Sequence, residues 1–157
     1  ASDVYKRQTM MFGMYSAGQW KDERESNLLD GAAHFYGCYE CKDGKYISIG
    51  SIEPQFYASL IENMELDASK FSNQFDKNLW PNLKELIGLR FKEKTRDEWC
   101  KIFTGKDIWF APVLSLEESL NNQHNLDRET FVEVAGIKQP APAPRFSRTE
   151  SEIKHPL

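Results

Sequence analysis

The stretch HFYGCYECKDGKYISIGSIEPQFYASLIENM, residues 34–64, contains the signals that decide the fold. Its first part, HFYGCYEC, is rich in aromatic residues and alternates roughly between apolar and polar positions, as a strand does. The pair Asp43-Gly44 then predicts a tight turn, and YISIG alternates again. The sequence therefore predicts an antiparallel β-hairpin between Ala33 and Gly50.

A helix is predicted directly after the hairpin. Pro54 suits its first position, because the N–H that proline lacks would have no partner there. Glu53 is then the N-cap residue, although Ser, Thr, Asp and Asn reach the first amides of a helix more easily and cap better. The apolar positions of this helix share one face, as in a helix that packs on a core: Phe56, Tyr57, Leu60, Ile61 and Met64.

Further helices and strands are predicted on both sides of this stretch. Residues 9–20, TMMFGMYSAGQW, are apolar nearly all round and indicate the end of a buried helix. Helices are also predicted for residues 80–94 and after two capping-box patterns, Thr95 to Glu98 and Ser115 to Glu118. Residues 108–114 and 129–136 are strand candidates, and the Pro-rich residues 139–156 are predicted to be extended. The predicted fold class is α+β, a small antiparallel or mixed sheet with flanking helices.

Composition excludes several classes of function. The chain has 157 residues, 40% of them hydrophobic and 13% aromatic, which suits a folded domain. The net charge of −4, with Lys and Arg dispersed among acids, predicts no nucleic-acid partner. No run of 18 apolar residues occurs, so no membrane span is predicted.

The three cysteines are an odd number, and free thiols suit a reducing compartment. Cys38 and Cys41 form a C-x-x-C, which could be a metal knuckle or a redox pair. Side chains three apart in a strand point to opposite faces, and no second ligand pair follows. We therefore interpret them as two ordinary strand cysteines and predict no metal.

No complete catalytic set is visible, whether a phosphate-binding Gly-rich loop, H-E-x-x-H or G-x-S-x-G. His34 and His124 could each act as a base, but a surface or helix-cap histidine is the commoner case, and His155 lies in the extended tail. Glu53 is the better candidate, because it follows a strand and begins a helix. Its carboxylate could orient a neighbouring imidazole, or it could simply stabilise the helix dipole.

The N-terminal residues raise a separate issue. The segment DVYKRQ, Asp3 to Gln8, resembles the in-frame translation of a transposase sequencing-adapter end. We therefore expect residues 1–8 to be non-native and exclude them from fold reasoning. On this hypothesis the natural protein continues upstream, and the chain is the C-terminal part of something longer.

The ordered motifs D-G-x-x-x-F-Y-x-x-Y, D-G-K and G-x-I-E-P-Q-F-Y resemble the small domain of the alpha-methylacyl-CoA racemases, within the family III CoA-transferase superfamily. The similarity continues through FKEKTRDEWCKIF, APVLSLEESLNNQHNLDRETFV and the terminal PAPRFS, and thus covers nearly all of residues 9–156. The resemblance implies interconversion of 2R- and 2S-methyl-branched acyl-CoA thioesters, by removal and return of the α-proton through an enolate. It implies no metal or redox cofactor, since CoA is part of the substrate.

The resemblance also implies where the site residues lie. The family's acid/base pair, a His and an Asp, belongs to a large domain that precedes this region, and neither His34 nor His124 matches it. The glutamate of the motif is Glu53, which would support the catalytic imidazole from the small domain of the other subunit of an interlocked homodimer. The chain alone is therefore expected to be inactive.

The expected domain organisation follows from the same resemblance. Residues 9–30 end a large-domain helix and linker, residues 31–135 form the small domain, and residues 136–157 return toward the large domain. The implied location is cytoplasmic, or mitochondrial or peroxisomal in a eukaryote.

The sequence departs from the family pattern at two places. His34 stands where small residues and Pro are usual, and Trp109-Phe110 stand where Cys is common. The family's transferases tend to have a glycine-rich loop in place of SIEPQF, which favours a racemase. Two alternatives stay open: a CoA-transferase that works through an aspartyl anhydride, and a non-catalytic binding or assembly module.

Overall fold

The computed structural model describes the backbone of residues 2–155 and the side chains of residues 8–155. Residue 1 of the predicted adapter segment and residues 156–157 of the predicted return segment lie outside the described residues. The chain forms two compact units, Ala1–Val113 and Leu114–Leu157. Among the described helices, none is long and apolar enough to cross a membrane.

The first unit contains a three-stranded antiparallel sheet of order β1-β2-β3. Its elements in chain order are α1 (Ser2–Ser16), β1 (Tyr36–Glu40), β2 (Tyr46–Gly50), α2 (Pro54–Asn63), α3 (Trp80–Phe91), α4 (Arg96–Phe103) and β3 (Phe110–Val113). The predicted hairpin is confirmed, with Gly44 in the turn at a φ of 74°. The predicted α+β class with a small antiparallel sheet is confirmed as well.

The core lies between the sheet and the helices α2, α3 and α4. Ile47 and Ile49 point inward from β2, and Tyr39 of β1 stacks on Phe91 with ring centroids 5.2 Å apart. Trp99 packs edge-on against Phe91 and donates its indole N–H to the Phe91 carbonyl at 2.9 Å. Burying each such large side chain stabilises the fold by roughly 1.5–3 kcal/mol, so this cluster anchors the sheet from which the chain continues to Glu53.

The start of α4 shows the predicted capping box. The Thr95 hydroxyl accepts from the Glu98 backbone N–H, and the Glu98 carboxylate accepts from the Thr95 backbone N–H. The helix also buries Arg96, which the sequence did not indicate; its guanidinium donates to the Val113 carbonyl at 3.0 Å. An arginine at the first helical position thus ties α4 to the end of β3.

Two predicted helices differ from those observed. α3 ends at Phe91 rather than at Lys94, because Thr95 must be extended to cap the next helix. Of the apolar residues 9–20, residues 9–16 do form the end of a helix, but Met10, Phe12 and Tyr15 are exposed. The prediction of a buried helix is wrong for this chain, since no described helix or strand packs extensively against α1.

The second unit contains α5 (Leu116–Leu120), α6 (Gln123–Asp127), β4 (Phe131–Val134) and β5 (Ile137–Pro140). The capping box of Ser115 and Glu118 and the strand in residues 129–136 are confirmed. β5 was not predicted, because it begins the segment read as extended and without a core. It pairs antiparallel with β4 across a turn in which Ala135 and Gly136 have positive φ angles. The domain boundaries at residues 30 and 135 stay predictions.

Candidate functional site

Glu53 lies where the sequence placed it, at the N-cap of α2 and just after β2. Its backbone is extended, at φ −71° and ψ 141°, and Pro54 occupies the first helical position. The side chain makes no capping hydrogen bond and is exposed. The carboxylate therefore does not cap its own helix.

The backbone of the three residues that precede Glu53 is held by hydrogen bonds to three other residues. Gly50 donates its N–H to the Trp109 carbonyl at 2.8 Å, and Ser51 donates to the Phe35 carbonyl at 3.1 Å. The side-chain amide of Gln74 donates to the carbonyls of Ser51 and Ile52. These hydrogen bonds hold the segment that links β2 to α2. The side chain of Gln74 donates two of them, which sequence reasoning missed.

A groove of about 770 Å³ runs along the outer face of the sheet and reaches Glu53. Three small residues in register across the strands, Cys38, Ser48 and Ala111, lie along its floor. The complete lining consists of Tyr36, Gly37, Cys38, Ser48, Ile49, Gly50, Ile52, Glu53, Asp107, Ile108, Trp109, Phe110 and Ala111. The small floor between larger walls leaves room for a ligand of moderate size.

Aromatic side chains border the groove close to Glu53. Trp109 is 59% exposed and packs against Phe56 of α2, with ring centroids 5.6 Å apart. Tyr36 lies on β1, the edge strand on the other side of the sheet from β3, which Trp109 precedes. The two charged side chains that line the groove, Glu53 and Asp107, are both acidic. The groove is therefore suited to an uncharged, largely apolar group next to a carboxylate.

His34 is fully buried, so the expectation of a surface or cap histidine is wrong for this residue. Its Nε2 lies 2.7 Å from the Tyr57 hydroxyl, and that hydroxyl donates to the Phe71 carbonyl at 3.1 Å. Nε2 therefore carries the ring N–H and donates it to the Tyr57 oxygen, because this tautomer leaves the fewest polar groups without a hydrogen-bond partner. Burial lowers the pKa of His34 to about 4, so the ring is neutral at pH 7. His34 is also not among the residues that line the groove.

The other predicted candidates are two histidines of the second unit and the two cysteines of the C-x-x-C. His124 is exposed in α6 and His155 is exposed near the end of the described residues, both in the second unit. Cys38 is exposed in the groove, whereas Cys41 is buried on the opposite face, as the strand period predicts. Burial raises the pKa of the Cys41 thiol to about 11. Residues 8–155 contain no group of three or more His, Cys, Asp or Glu placed to hold a metal ion.

Comparison with known proteins assigns the chain to a family. The model of CoA-transferase family III matches residues 3–157. The chain is 42% identical to alpha-methylacyl-CoA racemase of Mus musculus and 40% identical to that of Homo sapiens, over 84% and 83% of its own length. It spans only about a third of those relatives, 35% and 34% of their lengths.

A solved structure shows the same fold. The orthorhombic crystal structure of Rv3272 from M. tuberculosis superposes with a TM-score of 0.67 at 14% identity. The superposition covers 92% of this chain and 38% of that one. That superposition concerns the fold alone, whereas the family match over nearly the whole sequence shows that the chain belongs to CoA-transferase family III.

Proposed function

We propose that the protein containing this chain is an acyl-CoA racemase that interconverts 2R- and 2S-methyl-branched acyl-CoA thioesters. The observation that carries the proposal is the identity of 42% and 40% to two proteins named alpha-methylacyl-CoA racemase. The motif SIEPQF, residues 51–56, adds support. Its glutamate is Glu53, whose exposed side chain makes no capping hydrogen bond and lines the groove.

The reaction needs a base, an acid and a way to hold negative charge. The base removes the α-proton, the electron pair moves onto the thioester carbonyl as an enolate, and a proton returns to either face. No electrons are gained or lost, so thioester chemistry alone accounts for the step. The family resemblance assigns the acid/base pair to a His and an Asp outside this chain, which would make the chain inactive by itself.

Glu53 would act on that histidine rather than on the substrate. A carboxylate hydrogen-bonded to an imidazole fixes its tautomer and raises its basicity, and removal of such a partner typically costs about 10–100-fold. The exposed Glu53 side chain has the freedom for this role, because no capping bond to α2 holds it. In an interlocked homodimer, the histidine would come from the other subunit.

The charge of the groove indicates which part of an acyl-CoA it would face. Its lining includes Glu53 and Asp107 but neither Lys nor Arg among the described residues, so the CoA phosphates would be repelled. The uncharged acyl group, bounded by Tyr36 and Trp109, is the part that fits. Trp109-Phe110 stand where the family commonly has Cys, so the choice of acyl group is the property that this departure would affect.

The test is exchange of the α-proton by the complete reading frame that encodes this chain. We expect deuterium to enter a 2-methylacyl-CoA at C2 in deuterated water, detected by mass spectrometry. CoA transfer to a free carboxylic acid without exchange would overturn the proposal in favour of a transferase. Failure of both reactions would favour the non-catalytic module.

The role of Glu53 is tested with the variant Glu53→Gln. We expect exchange to slow by roughly 10–100-fold, since the amide retains the shape but loses the charge that supports the imidazole. Glu62→Gln is the matched control, because Glu62 is an exposed glutamate of the same helix. Equal rates for the two variants would leave Glu53 with only a helix-dipole role.

A further inference from the structure

Gln74 is a buried side chain in the irregular segment between α2 and α3. It is 7% exposed, although the sequence around it is polar. Its Nε2 lies 3.1 Å from the Ser51 carbonyl oxygen and 2.8 Å from that of Ile52. Its backbone carbonyl accepts the indole N–H of the buried Trp80 at 2.8 Å. The residue is thus anchored to the core through its backbone and to the strand-to-helix link through its side chain.

The two contacts match what the link requires. Past Gly50, the chain leaves the sheet before α2 begins, and its buried polar groups still need partners. A carboxamide has two N–H donors on one nitrogen, which suits two successive carbonyls. Ser51 and Ile52 are the two residues directly before Glu53, so the amide fixes the backbone from which that carboxylate extends.

We propose that Gln74 is a positioning residue for Glu53. It sets the direction in which the Glu53 side chain leaves the end of β2, although Gln74 does not itself line the groove and bonds to the backbone of Ser51 and Ile52 rather than to the carboxylate. This inference rests on the proposed function of Glu53 as the support of a catalytic imidazole. A displacement of about 1 Å in such a group can cost on the order of 10²-fold in rate, so a hydrogen-bonded link is functionally significant.

The informative variant is Gln74→Met, which keeps the length and bulk of the side chain but removes both donors. In the complete protein, we expect kcat for α-proton exchange to fall about tenfold, with KM near the wild-type value. A purely structural role would reduce the amount of folded enzyme without that separation of kcat from KM. Wild-type kcat in the folded variant would overturn the proposal.

A double-mutant cycle shows whether the effect passes through Glu53. If it does, Gln74→Met should change the rate less than about twofold in a Glu53→Gln background. An equal loss in both backgrounds would mean that Gln74 acts independently of Glu53, and would reject the proposal. The matched control is Asn27→Ala, since Asn27 is another buried amide of the first unit, 1% exposed and bonded to the Lys21 carbonyl and Asp30. We expect its loss to lower stability but to leave kcat unchanged.

Amide hydrogen exchange keeps this test separate from the proposed function. The peptide covering residues 51–57 should exchange faster in Gln74→Met than in wild type, whereas Asn27→Ala should leave that peptide unchanged. Unchanged exchange in Gln74→Met would reject the positioning role. If Glu53→Gln itself has no effect on activity, the function proposed for Glu53 fails, and the exchange result still decides whether Gln74 fixes the link.

Discussion

His34 and Tyr57 form a polar pair inside an aromatic cluster. The His34 ring packs edge-on against Phe35 and Tyr57, with centroids 5.1 and 5.5 Å apart, and no part of it is exposed. Burial raises the pKa of Tyr57 while it lowers that of His34, so both side chains remain neutral over a wide range. A buried neutral histidine makes the stability of the fold depend on pH.

The direction of this dependence follows from proton binding. The pKa of His34 falls from its ordinary 6.5 to about 4 on folding, so between these values the unfolded chain binds more protons. Stability is therefore full above pH 6.5 and is lost as the pH falls toward 4. By pH 5 the expected loss in the free energy of unfolding is about 2 kcal/mol relative to pH 7.

Urea unfolding at pH 7 and pH 5 measures this loss. We expect His34→Gln to remove most of the difference, because glutamine can donate to the Tyr57 hydroxyl without titrating. His124→Gln should keep the wild-type difference, since His124 is exposed. The same pH dependence in His34→Gln as in wild type would show that His34 does not cause it.

Sequence reasoning placed Glu53 at the N-cap of α2 but missed the burial of His34 and Gln74, and the difference lies in how far away the partners are. Glu53 was recognisable from Pro54 beside it, a relation between adjacent residues. His34 bonds to a residue 23 positions away, and Gln74 bonds to carbonyls 22 and 23 positions away. Such partners depend on how distant segments pack against one another, which no local sequence pattern predicts.

At the scale of elements, local signals determined most of what was predictable. The hairpin turn, the capping boxes and the first turn of α2 each depend on residues within four positions of one another. β5 was missed because a Pro-rich segment predicts an extended chain that does not pair with another strand. Pro140 ends that strand, where it pairs with Phe131. Proline is tolerated at such a strand end because both strands of this two-stranded sheet are edges.

The first turn of α2 offers a contrast between stability and function. Glu53 makes no capping bond, whereas an aspartate there would reach the free amides of the helix. We expect Glu53→Asp to raise the free energy of unfolding by about 0.5–1 kcal/mol. The same change would slow α-proton exchange, because the carboxylate is drawn back by one methylene toward its own helix.

Urea midpoints and exchange rates of the same preparations check both halves of this expectation. Glu62→Asp serves as the control at an exposed position of the same helix and should leave activity unchanged. A variant that is no more stable than wild type would contradict the capping argument. A variant that is more stable and fully active would contradict the role given to Glu53.

At the scale of the whole molecule, the central fact is that the chain spans about a third of its curated relatives. Its groove is lined by the carboxylates of Glu53 and Asp107, and its first unit contains one histidine, which is buried. Met10, Phe12 and Tyr15 of α1 are exposed, and they lie on more than one side of the helix. On the proposed function, the acid and base of the site lie outside this chain.

Expression of residues 1–157 alone tests that view. We expect the chain to fold, by circular dichroism, and to show no exchange of a 2-methylacyl-CoA above the rate without protein. The complete reading frame, assayed in parallel, should exchange it. Turnover by residues 1–157 alone would mean that the acid and base lie within this sequence.

The position of Cys38 gives the groove a natural attachment point for a reporter. Among the three thiols, Cys38 is the exposed one, while burial raises the pKa of both Cys41 and Cys100 and so suppresses their reactive thiolates. A fluorophore or spin label introduced at neutral pH would therefore be directed to the floor of the groove without any engineered cysteine. Occupancy of the groove, and the approach of other protein to this face, could then be followed spectroscopically in the native sequence.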